Sequence, residues 1–527
     1  MTTLQVRKPY TQDELRQLYP PELQLQQVQI LLRHGERTPV APRFQNAGLQ
    51  GFWPYCTAVR HLRDAVLERG KDGKGEVFST LEWKRRLETF GAADDSPVVA
   101  SGPAGELDSV CDMGMLTDTG RLTTLQLGER LRGLYVDRLG FLPKTIDSAD
   151  FIYLRTTPVP RSMQSLQQAF TGLYPTPTRG PNFPPPTILT RALSDETLLP
   201  NDGHCRRFAI LARAFGQRTA DRWNGTDDMA YLTKLIGKWM PEAGPQQVAV
   251  DSKPRLSGIM DTINATLAHG PETRLPKEFY DPKAREIIDK IGVEEWFGGY
   301  KESEEYRKLG VGGLLGDITA RMVGSVEHSL ADGQYEIMRT TGPNAGQHRA
   351  VKFGMSCAHD TTLAGALTSL GAFDGYRWPP FTSHIAFELF RKADGSGAGA
   401  AESNKAEVVP VVKASPSTSS WFSSLFSSGA PAGQPPSGIG RKPTEELSHA
   451  EKLTLDGYYV RIRYNDEIMK VPGCKAPGKH YKGDDSLCTL AAFKSVVDKF
   501  TPQDWKDECK KGKEEPVFPA QIQPPGY

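Results

Sequence analysis

The sequence predicts an α/β protein, with a mostly parallel sheet, helices on both faces of that sheet and a mainly helical cap lobe. The prediction rests on three places where an apolar, strand-like run ends in charged residues: VQILL before RHGER, FIYL before Arg155, and VKFGMSC before AHD. A helical pattern begins near each of these charged ends, and strand–loop–helix units of this kind build α/β sheets. Because ligands of such sheets bind beyond the carboxyl ends of the strands, we expect the charged clusters to converge on one mouth.

The first charged cluster is the segment RHGERTP, from Arg33 to Pro39. Arg33 and Arg37 flank His34, and guanidinium groups match phosphate oxygens in bidentate geometry while staying charged at any working pH. Nearby positive charge lowers the pKa of an imidazole, so we expect a neutral His34 that can act as a nucleophile. Gly35 is expected to supply a close backbone approach and an unusual φ at the strand end.

The second cluster follows the strand-like run at residues 151–154 and contributes Arg161. Pro158 and Pro160 suit a loop that leads into a helix, and apolar residues recur at helical spacing from Met163 to Leu173. Arg161 would thus stand at the start of this helix. It brings a third guanidinium group toward the mouth, and three crowded arginines favour a phosphate dianion as the ligand.

The third cluster is His359 with Asp360, followed by a helical pattern of leucines. His359 can donate to the transferring phosphoryl oxygens. The negative charge of a bound phosphate raises the pKa of a neighbouring carboxyl, so Asp360 can protonate the leaving alkoxide and afterwards activate water. The chemistry needs no metal and no cofactor, and the sequence contains no HExxH, paired CxxC or P-loop motif.

Each of these residues also has a structural interpretation. Two arginines four positions apart more often form a solvated loop, and a lone histidine is more often a hydrogen-bonded structural residue than a catalyst. The combination is more specific, because RHGxRxP fixes five positions and matches by chance in a chain of this length on the order of once in several thousand. The pattern therefore favours a phosphate site.

The rest of the chain predicts the domain organisation. Residues 201–345 indicate mostly helix and loop, which suits a cap over the mouth, and a further helix is expected from Thr117, its cap, to about Arg138. Residues 392–447 are rich in Gly, Ser and Pro and are interpreted as a disordered insertion. Strand-like runs on either side of that insertion, Ser383–Phe390 and Tyr458–Tyr464, are expected to pair as a hairpin. An apolar cluster near Trp421 permits a transient membrane or partner contact, although an inert patch is the favoured interpretation.

Composition sets bounds on partners and location. Of 527 residues, 64 are Lys or Arg and 63 are Asp or Glu, which gives a net charge of +1 and no global preference for nucleic acid. No apolar run reaches the length of a transmembrane helix or a signal peptide. We therefore expect an intracellular protein, cytoplasmic or mitochondrial, whose seven cysteines are mostly reduced thiols. A disulfide among Cys474, Cys488 and Cys509 is expected only in an exported protein.

At these motifs the chain resembles the histidine acid phosphatases, a branch of the phosphoglycerate mutase-like superfamily. RHGERTP resembles the family signature, CAHDTTLAGALTSLG its second signature, and IYLRTTPVPRSMQS the segment that carries its third phosphate-binding arginine. The resemblance implies one domain over residues 24–527, with its core in 24–200 and 346–527 and its cap in 201–345. It implies that His34 is the nucleophile that forms a phosphohistidine and that Asp360 is the proton donor. Phosphate would be bound by Arg33, Arg37, Arg161 and His359.

Three further segments resemble the lysophosphatidic acid phosphatase branch of that family: LTDTGRLTTLQLGERLRGLYVDRLGFLP, LGAFDGYRWPPF and VPGCKAPGKHYKGDDSLCTLAAF. This resemblance implies an acid phosphatase that hydrolyses lysophosphatidic acid or a related lipid phosphate monoester. One alternative is a phytase-like inositol-phosphate phosphatase, because substrate choice resides in the cap. The other is a non-catalytic protein that binds a phospholigand, and the presence of Asp360 argues against it.

Overall fold

A mixed sheet forms the core of the protein. The computed structural model describes residues 9–70, 75–91, 94–241, 246–337, 350–373, 378–393 and 438–527. Its strands are β1 Leu23–Arg33, β2 His61–Arg69, β3 Glu76–Lys84, β4 Glu88–Phe90, β5 Pro97–Val99, β6 Ile152–Thr156, β7 Phe353–Ala358, β8 His384–Lys392, β9 Tyr458–Tyr464, β10 Glu467–Met469, β11 His480–Tyr481 and β12 Asp484–Thr489.

The central sheet has the strand order β11-β12-β9-β8-β1-β7-β6, with β10 paired to β9. The three strands β1, β7 and β6 run parallel, while β8, β9 and β12 continue the sheet in antiparallel pairs. The predicted α/β class is confirmed, and so is the predicted hairpin, since β8 pairs with β9. The parallel strands are those that precede the charged clusters, so their carboxyl ends share one edge of the sheet.

Helices cover the sheet and fill the segment predicted as the cap. They are α1 Gln12–Leu18, α2 Asp118–Arg132, α3 Pro160–Leu173, α4 Arg206–Trp223, α5 Asp227–Ile236, α6 Leu256–Leu267, α7 Pro282–Glu302, α8 Glu304–Arg307, α9 Gly313–Glu327, α10 Gln334–Ile337, α11 Asp360–Ser369, α12 His449–Thr454, α13 Leu490–Asp498 and α14 Trp505–Glu508. Thr117 caps α2 as expected, and the helix continues as a wider turn through Gly133–Arg138. Within the described residues, no helix combines the length and apolar character needed to cross a membrane.

Two apolar clusters hold the layers together. On one face of the sheet, α2 and α3 pack against alternate residues of β1, among them Ile30 and Leu32. On the other face, Leu31 belongs to a larger cluster that also contains residues of α11, α13 and the cap helices. Alternation along a strand sends successive side chains to opposite faces, so both faces of β1 are buried. The cap and the core therefore share one apolar interior, which fixes the cap relative to the strand ends.

The structure corrects the C-terminal boundary of the predicted insertion. Residues 394–437, and with them the cluster near Trp421, lie outside the described residues. Residues 438–447 pack against the core: Ile439 and Leu447 are buried, and Thr444 donates its backbone N–H to Asp498 on α13 at 2.8 Å. These few apolar and capping contacts give the end of the segment a defined place that its overall composition does not indicate.

The structure also corrects the expectation of mostly reduced thiols. Three disulfides join Cys56 to Cys111, Cys205 to Cys509, and Cys474 to Cys488, and Cys357 is a buried free thiol. The partners of the first two bridges are 55 and 304 positions apart, so spacing in the sequence could not reveal them. The second bridge ties the start of α4 to the C-terminal segment.

Candidate active site

The turn that follows β1 is held at the end of the sheet by backbone hydrogen bonds. Arg33 N–H donates to the Ser383 carbonyl at 2.8 Å, and His34 N–H donates to the Ala358 carbonyl at 3.1 Å. Gly35 lies against the backbone of Gly120 on α2, where any Cβ would collide with it. The close approach expected of Gly35 is thus present, whereas its φ is ordinary, which corrects the expectation of an unusual value.

His34 is buried and has a defined tautomer. Its Nδ1 lies 2.9 Å from the Gly35 carbonyl oxygen. A carbonyl only accepts hydrogen bonds, so in the neutral ring Nδ1 carries the proton and Nε2 carries the free lone pair. Burial, and then the charges of Arg161 and Arg33, lower the pKa of His34 well below its ordinary value. The imidazole therefore stays neutral, and its Nε2 stays nucleophilic, far into the acidic range.

Three arginines surround His34. Arg33 donates to the Pro379 carbonyl at 2.6 Å, and its guanidinium carbon stands 4.1 Å from the centre of the Phe381 ring. Burial and the neighbouring Arg37 lower the pKa of Arg161 to about 10, a value at which the group is still fully charged in acid. The Nε atoms of Arg33, Arg37 and Arg161 are buried and have no hydrogen-bond partner among the described residues. A buried N–H group without an acceptor is energetically unfavourable, and the oxygens of a bound phosphate can accept from these groups.

The end of β7 supplies His359 and Asp360. His359 is the N-cap residue of α11 and Asp360 is its first residue, so the turn out of the strand projects both toward His34. The rings of His34 and His359 stand edge to face, with centroids 5.5 Å apart. His359 Nε2 lies 3.2 Å from the Thr157 hydroxyl, which follows β6. All six residues singled out in the sequence are thus brought to one site at the ends of the three parallel strands.

The protonation state of Asp360 differs between the free site and the state that catalysis needs. Its Oδ2 pairs with Arg33 Nη2 at 2.6 Å and accepts a hydrogen bond from Trp378 Nε1 at 2.9 Å. Burial alone would raise the pKa of Asp360, but the Arg33 charge and the Trp378 hydrogen bond hold it below the ordinary value. The carboxyl is therefore ionised in the free site. To act as the expected proton donor, Asp360 would need a bound phosphate that draws on the charge of Arg33 and so raises the pKa of the carboxyl.

Two further residues at this site were not predicted from the sequence. Trp378 lies in the segment before β8 and packs against Phe297 of α7, with ring centroids 5.0 Å apart. Asp261 belongs to α6 of the cap, and its carboxylate pairs with Arg37 at 2.8 Å. Trp378 falls in LGAFDGYRWPPF, whose resemblance to the lysophosphatidic acid phosphatase branch assigns the tryptophan no role, and an aspartate within an amphipathic helix matches no motif of its own. Only the fold brings them to the arginines and the proton donor.

A fold with parallel strands ending in this arginine and histidine cluster defines a class of phosphoryl-transfer enzymes, and comparison with known proteins gives the family. A model of the histidine phosphatase superfamily (branch 2) matches residues 24–238 and 277–414. The chain belongs to this superfamily. The match contains all six candidate residues and omits residues 239–276, which include α6.

The relatives are consistent with that family. A probable acid phosphatase of Schizosaccharomyces pombe is 34% identical over 93% of this chain and 95% of its own length. The lysophosphatidic acid phosphatase type 6 of Bos taurus is 24% identical, with 70% of this chain and 74% of that protein covered. Among solved structures, a Hafnia alvei phytase in complex with tartrate aligns with a TM-score of 0.50 at 12% identity, over 93% of this chain and 99% of that chain. The protein is an acid phosphatase of the histidine phosphatase superfamily.

Proposed function

We propose that the protein hydrolyses phosphate monoesters in two steps through a phosphohistidine at His34. The observation that carries the proposal is the pairing of a neutral, buried His34, whose Nε2 is free, with the ring of buried guanidinium groups around it. In the first step Nε2 forms a bond to phosphorus, and the ester P–O bond breaks. Asp360 gives its proton to the departing alkoxide, so a neutral alcohol leaves.

In the second step water attacks the phosphohistidine. Asp360, now a carboxylate, accepts a proton from that water, while the bond between phosphorus and Nε2 breaks and returns the electron pair to His34. Inorganic phosphate is released, and Asp360 is protonated again. Arg33, Arg37, Arg161 and His359 stabilise the charge on the phosphoryl oxygens in both steps.

We further propose a lipid substrate with a single phosphate, of the lysophosphatidic acid class. Support comes from the three segments that resemble that branch and from the similarity to the bovine lysophosphatidic acid phosphatase. The same phosphate site would accept an inositol phosphate. A panel of lysophosphatidic acid, inositol hexakisphosphate and an aryl phosphate at acidic pH tests the proposal. A higher kcat/KM for inositol hexakisphosphate than for lysophosphatidic acid would overturn the lipid assignment.

The first step has its own test. Enzyme that has been incubated with an aryl phosphate labelled in its phosphoryl group, and then quenched in alkali, should retain label that is stable in base and labile in acid, as expected for a phosphoramidate at His34. Absence of label on an enzyme that still turns over under the same conditions would contradict the phosphohistidine route.

The intracellular location stays a prediction, and the disulfides set a condition on it. Three bridges in one chain require maturation in an oxidising compartment, such as the lumen of the secretory pathway, rather than in a reducing cytosol. We therefore propose a lumenal site of folding. Thiol titration of protein taken from its own cells and denatured without reductant would show one free cysteine if this is correct and seven if the bridges do not form.

A further inference from the structure

Asp261 stands at the rim of the phosphate site and comes from the cap. Its Oδ1 accepts from Arg37 Nη1 at 2.8 Å, and its Oδ2 lies 3.3 Å from Arg43 Nη1 and 3.1 Å from the backbone N–H of Val40. Its side chain is 14% exposed, compared with 8% for Arg37. Asp261 lies within residues 239–276, the stretch that the family model does not match. This carboxylate therefore comes from a part of the cap that lies outside the matched stretches.

The helix that carries Asp261 is firmly seated on the active-site turn. The guanidinium of Arg43 lies along Gly258, one turn before Asp261, at a place where a Cβ would crowd its Nε at 2.9 Å. At the far end of the same segment, His269 Nε2 lies 2.8 Å from the hydroxyl of Thr117. Thr117 in turn donates its backbone N–H to the Glu36 carbonyl at 3.0 Å. Both ends of α6 are thus tied to the segment around RHGER, and the position of the carboxylate is fixed.

Asp261 affects anions in two ways. Asp261 pairs with Nη1 of Arg37 and thereby orients the guanidinium group. The buried Nε of Arg37 then stays available to donate to a phosphate oxygen. Asp261 also places a negative charge beside the phosphate site. Three guanidinium groups outweigh the carboxylates of Asp360 and Asp261 for a phosphoryl group inside the site. A second phosphoryl group on a neighbouring carbon cannot occupy the same ring of arginines. On the cap side of that ring it would meet the carboxylate of Asp261, whose Oδ2 also faces Arg43 at 3.3 Å, and partial burial there weakens solvent screening.

We propose that Asp261 is a specificity-determining residue that excludes phosphate esters carrying a second phosphoryl group next to the scissile one. The inference rests on the proposed function and narrows its substrate class. The enzyme acts on esters whose neighbouring positions carry hydroxyl or other uncharged groups, as in a monophosphorylated glycerol or inositol, and it discriminates against densely phosphorylated alcohols.

The test compares two esters of one alcohol, myo-inositol 1-phosphate and inositol hexakisphosphate, in the wild type and in Asp261→Asn. The asparagine keeps the shape and removes the charge. Any loss of Arg37 orientation lowers both rates and cancels in the ratio of the two kcat/KM values. We expect Asp261→Asn to raise the ratio of hexakisphosphate to monophosphate at least ten-fold, and Asp261→Glu, which keeps the charge, to leave the ratio near the wild-type value.

Asp251→Asn is the matched control. Asp251 is an exposed carboxylate of the same cap segment and accepts a hydrogen bond from Asn224 at 2.9 Å, away from the site arginines. The change in net charge is the same as in Asp261→Asn, so a long-range effect of protein charge would raise the ratio in both variants. The proposal expects an unchanged ratio in the control.

Two further measurements keep the outcome decisive. If Asp261→Asn does not fold, Asp261→Ser, which also removes the charge, should raise the same ratio, and an unchanged ratio in a folded, active Asp261→Ser variant overturns the proposal. Calorimetric binding of the two esters to His34→Ala, with and without Asp261→Asn, reports the same discrimination without turnover. A wild type that binds the monophosphate more tightly but hydrolyses nothing would refute the proposed function while supporting the role of Asp261. An unchanged ratio in a folded, active Asp261→Asn variant would refute the role of Asp261 alone.

Discussion

The strand ends and the cap contribute to the same site by different physical means. His34 and Asp360 follow directly from β1 and β7, so sheet hydrogen bonds place their backbones to within the precision of the strand register. Asp261 arrives from a helix more than two hundred positions downstream of Arg37 and is held by side-chain contacts. The residues proposed to carry the chemistry thus stand at the ends of the rigid sheet, whereas Asp261, proposed to select the substrate, stands on a helix that can change while the sheet is retained.

The largest loss of activity should come from substituting a residue at the strand ends. Replacing His34 with Ala removes the nucleophile, and water attack in the remaining site cannot use the covalent route. We expect kcat for an aryl phosphate to fall by about 10⁴-fold or more, with little change in melting temperature.

His61→Ala is the control for that experiment. His61 is an exposed histidine on β2 that pairs with Glu82, and its loss should leave kcat unchanged. Activity in His34→Ala within ten-fold of the wild type would show that the strand-end residues do not carry the reaction.

The next effect separates the two functions of Asp360. In Asp360→Asn the side chain keeps its shape but cannot protonate the leaving group. The kcat/KM for an alkyl phosphate, which reports the formation of the phosphohistidine and not the later attack of water, should fall by about 10² to 10⁴-fold because the alkoxide needs that proton. The loss for p-nitrophenyl phosphate should be at least ten-fold smaller, because its phenolate leaves without protonation. Equal losses for the two substrates would mean that Asp360 acts by holding Arg33 and not as an acid.

The motif residues could be found in the sequence because their positions follow from local rules. A strand that ends in RHGER needs only its register and a turn to present His34, and Pro160 at the first turn of α3 already indicates where Arg161 lies. Asp261 and Trp378 depend on long-range packing, for which a single sequence contains no rule. The bridge from Cys205 to Cys509 was missed for the same reason, because its partners are 304 positions apart.

A smaller effect is expected from two arginines close in sequence, of which we expect Arg161 to bind phosphate and Arg155 to hold the structure together. Arg161 and Arg155 both stand near the end of β6, but Arg155 is bound to Glu196 at 2.6 Å, and both side chains are buried. Arg161→Ala should weaken inhibition by inorganic phosphate by about 10 to 100-fold through loss of charged hydrogen bonds, with stability retained. Arg155→Ala should leave the unpaired carboxylate of Glu196 buried and cost about 3–5 kcal/mol of unfolding free energy. If Arg161→Ala instead lost stability while Arg155→Ala weakened inhibition by phosphate, the assignment of Arg161 to the phosphate site would be wrong.

The smallest expected effect is a shift in the pH dependence of kcat when the hydrogen bond from Trp378 to Asp360 is removed. Trp378 Nε1 donates to Asp360 Oδ2 and stabilises the ionised carboxyl, so this hydrogen bond lowers the pKa of Asp360. Trp378→Phe removes the donor but keeps an aromatic ring against Phe297. The pKa of Asp360 should then rise, and the proton donor should stay protonated to higher pH. The alkaline limb of kcat for an alkyl phosphate should therefore move upward in pH.

The control for Trp378→Phe is Trp296→Phe on α7. Trp296 meets the edge of Trp378 with ring centroids 6.2 Å apart, so the substitution disturbs the same aromatic cluster. It leaves the hydrogen bond to Asp360 in place, and its pH profile should match that of the wild type. If both variants shifted the alkaline limb equally, packing of the cap and not the indole hydrogen bond would set the protonation of Asp360. A downward shift in Trp378→Phe would contradict the direction derived from the structure, because only a contact that favours the protonated carboxyl could produce it.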